Sequence, residues 1–543
     1  MKTFEVAAQT LSKQGIQTIF GLMGDANLAY LGAYVENEGG EFVAAVAEGS
    51  AVSMADGFHR MTGKVGVASV THGPAVTNCL TAITEAVRAR SQVLLIVGDT
   101  PNVHHHFQNL DIEGFARAAG AQYLRVRTPD VVSADIAQAL TRIRSEHRPL
   151  LLDIPYDLLE KPAQYAAAPQ PSAARPTSHP DPDVIDDVLG ILLSTQRPLI
   201  VAGRGAVSAG ARENLLRLAR LLDAPVMTTL LAKDLFAGVP ENLGVHGNLS
   251  HEVGAAEIAR ADCVITFGAS LNTFTTDSNT LAKGKTVIQC DDRLEAIARF
   301  GPVSVGVIAD AALAAGAMCE RLEDAGHTPA TGRVTALAQE VAAAQRHPYR
   351  SITGNGTVDM RDAMAWLSEA VPAGAQVVTD IGRFCLAAWK HLEVTPGRFT
   401  VPGTFGSIGL GIATAVGAAT ARRDVPTVCV AGDGGAMMGL MELSTAVRYQ
   451  LPLVLVVLND NCYGAEYRKL AEVGLDPCHS QVRWPELADM GRSLGAHSVV
   501  VRERDDFTGV AAAISAGRYP LLVEVKADPA RRRPASGDVD PHS

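Results

Sequence analysis

Along the chain, short unbroken runs of aliphatic and β-branched residues alternate with longer stretches in which apolar positions recur every three or four residues. A short continuous apolar run reads as a strand buried on both faces, and strands separated by helical stretches pair in parallel. Runs at 18–20, 42–46, 65–70, 93–97 and 150–154 form a first group, those at 198–202, 226–228, 263–267 and 286–289 a second, and those at 377–379, 427–431 and 453–458 a third. The pattern predicts an α/β protein of three consecutive domains, each a parallel sheet with helices on both faces. Their expected extents are 1–160, 185–330 and 355–526. Residues 161–184, rich in Pro, Ala and Ser without apolar periodicity, read as a linker, and 325–357 as a less structured stretch. The tail 527–543, with Arg531-Arg532-Arg533 among Pro, Gly, Ser and Asp, reads as a solvated flexible end.

Composition narrows the class. At 543 residues, 47% hydrophobic and 19% charged, the chain is too long for one core and too apolar for disorder. A formal net charge of -11 speaks against general affinity for nucleic acid or an anionic membrane. The eight cysteines include no CxxC pair, so neither a zinc site nor a disulfide framework is expected, and reduced thiols point to the cytoplasm. The longest strongly apolar run, 451–458, is far short of the roughly 20 residues that span a bilayer.

Two glycine-rich strand ends carry candidate chemistry. Gly203-Arg204-Gly205 invites a dinucleotide reading, but the third glycine of that fingerprint falls on Ser208, which leaves a tight turn before a helix as the simpler expectation. Ala431-Gly432-Asp433-Gly434-Gly435 follows a buried strand, a helix-like stretch covers 439–449, and the next strand ends in Asn459-Asp460-Asn461-Cys462-Tyr463-Gly464. Two carboxylates 27 positions apart thus emerge at the C-terminal ends of parallel strands, where ligands of open α/β sheets bind. Glycines there admit phosphate to backbone N–H groups, and a hard cation such as Mg²⁺ takes oxygen ligands while sharing phosphate oxygens.

This constellation resembles that of the thiamine-diphosphate-dependent enzymes of the acetolactate synthase, pyruvate decarboxylase and benzoylformate decarboxylase type, whose hallmark is Gly-Asp-Gly followed by an Asn-Asn pair; here the pair is Asn459-Asp460. The resemblance, which covers roughly 1–526, implies thiamine diphosphate and Mg²⁺ as cofactors. It implies Asp433, Asp460 and the backbone carbonyl of Cys462 as metal ligands, with Gly432, Gly434, Gly435, Asn459, Tyr463 and Gly464 around the diphosphate. Gly403-Thr404-Phe405-Gly406-Ser407-Ile408-Gly409 is similar to the segment that holds the aminopyrimidine, Ile408 propping the cofactor and the Gly406 carbonyl taking its amino group. Glu48, followed by Met54-Ala55-Asp56-Gly57-Phe58-His59-Arg60-Met61-Thr62-Gly63, resembles the family glutamate that faces the pyrimidine ring nitrogen. Read without the family, Glu48 is a first-turn glutamate favoured by the helix dipole.

The reaction divides two ways. Asp25 in Gly24-Asp25-Ala26-Asn27-Leu28, His105 and His106 within the triple 104–106, and Glu466, six positions after Asp460, look like the proton donors of pyruvate-type decarboxylases. Taken singly, Asp25 reads as a helix cap, the histidines as a solvated loop and Glu466 as a surface acid. Val70-Thr71-His72-Gly73-Pro74-Ala75-Val76-Thr77-Asn78 and Phe107-Gln108 look instead like acetolactate synthase, with His72 facing the reacting carbonyl. Where acetolactate synthases carry their flavin-binding F-D-D-R, this chain has Phe267-Gly268-Ala269-Ser270, so no bound FAD is expected. Arg383, after a strand end on the same cleft, could hold diphosphate or a substrate carboxylate. The expectation is decarboxylation of a 2-oxo acid with aldehyde release, the alternatives being ligation to an aldehyde or second 2-oxo acid and a catalytically silent relative. The family arrangement implies a homodimer or homotetramer with sites at the subunit interface.

Overall fold

The computed structural model describes residues 1–101, 105–167, 178–328, 332–344, 347–354 and 356–529. The apolar runs become three six-stranded sheets. The first contains β1 (Thr18–Gly21), β2 (Glu41–Ala44), β3 (Gly66–Val70), β4 (Val93–Asp99), β5 (Gln122–Arg125) and β6 (Leu150–Pro155) in the order β2-β1-β3-β4-β6-β5, parallel throughout. The second contains β7 (Pro198–Ala202), β8 (Val226–Thr228), β9 (Asn242–Val245), β10 (Cys263–Phe267), β11 (Thr286–Asp291) and β12 (Val305–Ile308) in the order β12-β11-β10-β7-β8-β9, also parallel. The third contains β13 (Gln376–Thr379), β14 (Phe399–Thr400), β15 (Thr427–Gly432), β16 (Leu453–Asn459), β17 (His497–Val501) and β18 (Leu521–Lys526) in the order β14-β13-β15-β16-β18-β17. Strand order reverses between β1 and β3, between β7 and β10, and between β13 and β15, and each reversal opens a crevice at the strands' carboxyl ends.

The chain groups into two compact units. Of the described residues, one unit comprises those in 1–167, 352–388 and 400–529, and so combines the first sheet with nearly all of the third; the other comprises those in 178–351 and 389–399, around the second sheet. Within the first unit one core runs through both sheets, because the helix Glu48–Thr62 lies directly on the helix Gly411–Ala421. A Cβ on Gly57 would stand 2.0 Å from the Thr414 carbonyl oxygen, and one on Gly417 1.9 Å from that of Met54. Backbone meets backbone, which only glycine permits. Since 54 faces 417 and 57 faces 414, the two helices run antiparallel.

Several boundaries differ from the sequence expectation. The second strand stops at Ala44, before a turn that leads into the helix at Glu48. The stretch 325–357 contains a helix, Arg333–Ala343, built of good helix formers and docked through Arg333 onto the buried Glu257. The helix after β15 opens at Asp433 itself rather than near Gly439. Asp25 does not cap the helix Leu28–Glu36: Asn27 holds the N-cap position, and its side chain bonds Gly24 N, Leu22 O and Ser69 Oγ instead. In the second unit, Gly203 and Gly205 let their turn meet the loop after β10, since a Cβ on Gly203 would lie 2.2 Å from Gly268 O. Backbone packing therefore accounts for that glycine pair. Among the described residues no helix is long and apolar enough to cross a membrane. His104 and Arg531-Arg532-Arg533 lie outside the described residues.

Candidate functional site

The crevice of the third sheet is built by three strand ends in register. Gly432 pairs with Leu458 and Thr379 with Val430, which sets Asp433 level with Asn459, one position before Asp460, on one side and two positions beyond the level of Asp380 on the other. Asp433 is 3% exposed; its Oδ1 accepts Gly434 N at 2.8 Å and its Oδ2 accepts Cys462 N at 3.1 Å. Burial pushes its pKa up against these amide donors, and no basic side chain pairs with it among the described residues. A buried carboxylate without a cation, one position along the strands from the half-buried Asp460, fits a divalent metal with oxygen ligands.

The glycines and aromatic groups around Asp433 have assigned neighbours. Tyr463 lies on Gly434, where a Cβ would come within 2.3 Å of its ring, and meets Trp484 edge-on. Asn459 is occupied at both ends, donating to Glu524 Oε1 at 2.7 Å and accepting Asn461 N at 3.0 Å, so its side chain shapes the loop. Gly464 packs on the Arg383 side chain, which brings Arg383 to this crevice. Glu466 follows on the exposed side of the helix Gly464–Glu472.

The loop 403–409 is fastened from two sides. On one, Asp380 Oδ2 accepts Gly409 N at 2.8 Å, and burial raises the Asp380 pKa to about 6. On the other, Glu85 accepts Thr404 N at 3.1 Å, Thr404 Oγ1 at 2.8 Å and Phe405 N at 2.6 Å. Glu85 is also paired with Arg60 at 2.9 Å, Arg60 with Asp56 at 2.7 Å, and Arg60 donates to Val401 O at 2.8 Å, all in the interior. Burial works against the Arg60 charge, yet the two carboxylates outweigh it and leave its pKa above the ordinary value. The ends of this fastening, Gly406 and Gly409, have φ of +85° and +88°, and Ile408 between them is half-buried.

Glu48 opens the helix Glu48–Thr62, half-buried, and accepts Asn78 Nδ2 at 3.1 Å. Arg60, which donates to Val401 O at the start of the segment leading into the 403–409 loop, comes twelve residues later on the same helix. At 1.5 Å per residue that is about 18 Å. Within one chain, Glu48 and the 406–408 loop therefore lie at opposite ends of the paired helices.

The first sheet's crevice gathers another group. Gly98 packs on Ala26, and His72 follows β3 there, 5% exposed, with no hydrogen-bond partner for its Nδ1 among the described residues. Its ring meets that of His106 edge-on at 5.8 Å; His106 stacks on the exposed Phe107 and its Nδ1 accepts Gln108 N at 3.2 Å. The loop carrying the exposed Asp25 joins this edge through Ala26 N, which donates to Thr71 Oγ1 at 3.2 Å, and His105 is exposed. The structure thus brings the Asp25 loop, His72 and His106 to one edge, while Glu466 stands on the other sheet. The sequence reasoning assigned no role to Asp380, Glu85, Arg60 or Glu442. Only the A-D-G…R spacing, which contains Asp56 and Arg60, could have pointed to one of them.

The chain matches three family descriptions in succession: "Thiamine pyrophosphate enzyme, N-terminal TPP binding domain" over 1–115, the central domain over 185–318 and the C-terminal TPP binding domain over 380–525. It is 27% identical to a sulfoacetaldehyde acetyltransferase of Alcaligenes xylosoxydans xylosoxydans, over 93% of this chain and 89% of that protein. It is 28% identical to an acetolactate synthase large subunit of Parasynechococcus marenigrum (strain WH8102), over 95% and 86%, and 27% identical to the acetolactate synthase isozyme 3 large subunit of Escherichia coli (strain K12), over 91% and 88%.

Proposed function

Because the chain belongs to the thiamine pyrophosphate enzymes, with their N-terminal, central and C-terminal domains all present, we propose that two copies hold thiamine diphosphate and Mg²⁺ between them and transfer the acyl fragment of a 2-oxo compound to a second small molecule. The observation that carries the reading is the buried, cation-free Asp433 at the strand end beside Asp460. When bound, the cofactor supplies a carbanion that attacks a carbonyl carbon and an electron sink for the bond that then breaks. Every other role belongs to this chain. Asp433, Asp460 and the Cys462 carbonyl hold the metal, and Ile408 and the Gly406 carbonyl hold the aminopyrimidine. Glu48 keeps a proton at the pyrimidine ring nitrogen, and Arg383 takes an anionic group in the same crevice.

Distance supports the second copy. Glu48 stands about 18 Å along the helix axis from Arg60, the residue that touches the segment leading into the loop, which disfavours its serving the same ring within one chain. The elements concerned also expose apolar side chains for a partner to cover: Val46, Leu80, Phe405, Met438 and Met441. Transfer is preferred to simple decarboxylation because the relatives are named as an acetyltransferase and acetolactate synthases. Aldehyde release is the second reading, favoured by the pairing of buried His72 with His106 at the other sheet's edge.

The test is product analysis with thiamine diphosphate, Mg²⁺ and a panel of 2-oxo acids and sulfoacetaldehyde, each with and without an aldehyde or 2-oxo acid acceptor. A condensed or acyl-transferred product is expected. Free aldehyde alone establishes the second reading, and failure to retain the cofactor overturns both.

A further inference from the structure

Glu442 is 2% exposed and ends the single 3-10 turn Leu440–Glu442 that continues the helix beginning at Asp433. Its carboxylate faces the N-terminal half of the same unit. Oε1 accepts Val46 N at 3.0 Å and Ala47 N at 3.1 Å, and Oε2 accepts Val46 N at 3.2 Å and Thr445 Oγ1 at 2.8 Å. No cation pairs with it among the described residues, so amide and hydroxyl donors alone hold this buried charge. Such bonds are about twice as strong as neutral ones. The two amides belong to the residues immediately before Glu48, and Ala47 is the N-cap of the helix that Glu48 opens. Two further ties run alongside: Tyr449 Oη accepts Ala44 N at 2.8 Å and donates to Phe42 O at 3.1 Å, and Arg448 Nη1 donates to Ala44 O at 3.0 Å.

We propose that Glu442 is a positioning residue for Glu48: by gathering the Val46 and Ala47 amides it sets the turn that delivers the Glu48 carboxylate, and it ties that turn to the segment headed by Asp433. Resting on the two-copy reading above, Glu48 and Asp433 of one chain serve different cofactors, so the tie is a strut from one site to the next. Metal and diphosphate binding at Asp433 in one site then steadies Glu48 in the other.

The experiment compares the full-length chain with Glu442→Ala and Glu442→Gln, the latter retaining one acceptor oxygen. In cofactor-free protein, hydrogen exchange at Val46 and Ala47 is expected to quicken by about tenfold or more in Glu442→Ala and by less in Glu442→Gln. With thiamine diphosphate and Mg²⁺, exchange of the cofactor's C2 proton should slow in the same order, while cofactor affinity by calorimetry stays within about threefold. Adding Mg²⁺ and cofactor should protect Val46 and Ala47 in the wild type and not in Glu442→Ala. Unchanged amide exchange in both variants, or quickened amides with undisturbed C2 exchange, overturns the proposal; should Glu442→Ala fail to fold, Glu442→Gln decides by the same criteria. Glu48→Gln run in parallel separates the two claims. If that variant exchanges C2 at the wild-type rate, the proposed function is wrong, whereas the amide data still judge the tie.

Discussion

Replacing Gly417 by alanine sets two effects of opposite sign against each other. Alanine is favoured over glycine in a helix interior by about 1 kcal/mol, which would stabilise Gly411–Ala421. The added Cβ would stand 1.9 Å from the Met54 carbonyl oxygen and 2.7 Å from the Met54 Cα, and neither atom can swing aside as a side chain would. Restoring ordinary contact needs a retreat of about 1.5 Å, and a gap of 0.5–1 Å already forfeits a quarter to a half of a dispersion contact. The retreat would loosen the shared core to which both helices contribute small side chains, Ala51 and Ala55 from one and Ala413 and Ala418 from the other. Overpacking of this kind costs typically 1–3 kcal/mol, and the backbone-to-backbone clash places this site at or above the upper end. Net destabilisation of about 2 kcal/mol is expected, read as a lower urea midpoint of the cofactor-free protein. Gly32, in Leu28–Glu36, is the control, since nothing lies within 4 Å of its Cβ position; Gly32→Ala should raise the midpoint. If Gly417→Ala raises it as Gly32→Ala does, the close approach of the helices is wrong.

Four further outcomes are expected. Glu48→Gln should abolish turnover while leaving thiamine diphosphate affinity within a few fold, and full activity would remove its assigned role. Asp433→Ala should lose Mg²⁺-dependent retention of the cofactor on gel filtration; retention equal to wild type would refute the metal assignment. Glu85→Ala leaves Arg60 with Asp56 alone and frees the Thr404 and Phe405 amides, for a cost of about 3–5 kcal/mol; a urea midpoint close to wild type would show that the network is solvated. Asp153 is fully buried, and its pKa rises from 3.8 to about 6 because burial outweighs Tyr123, 2.6 Å away, and Arg125 at 3.3 Å. The Arg125 pKa rises as an ion pair requires, yet that side chain is 40% exposed and its pull on Asp153 is weakened by solvent. The folded state therefore holds this proton more tightly than the unfolded one, so the contribution is fully present below about pH 4 and lost as pH rises to about 6. Asp153→Asn should flatten stability over that window, and an unchanged slope would sink the assignment.

Which parts of this molecule were legible in its sequence follows from where each residue finds its partners. Central strands β3, β4, β6, β15 and β16 are buried along their whole length and appear as unbroken apolar runs. The strands that escaped notice are mostly the sheet edges β5, β9, β12, β14 and β17, where one side meets solvent or a loop and residues such as Arg125 and His497 interrupt the run. Internal β18 was hidden by Glu524, fully buried, whose carboxylate takes Asn459 Nδ2, Ala488 N and Lys526 Nζ. Asp433 was legible because its glycines and its strand are its neighbours in sequence. Glu442 and Glu85 were not, because their partners are backbone amides about 400 and 320 positions away, and an amide looks the same whatever residue carries it. The same limit separates these acids by function. Glu442 and Glu85 each gather donors from a distant segment, whereas Asp433 draws its two amides from Gly434 beside it and from Cys462 at the next strand's end. A carboxylate that joins distant segments is a fastener. One that sits buried at a strand end among donors of its own crevice, with a second carboxylate one strand over, is the kind of group for which the metal role is proposed.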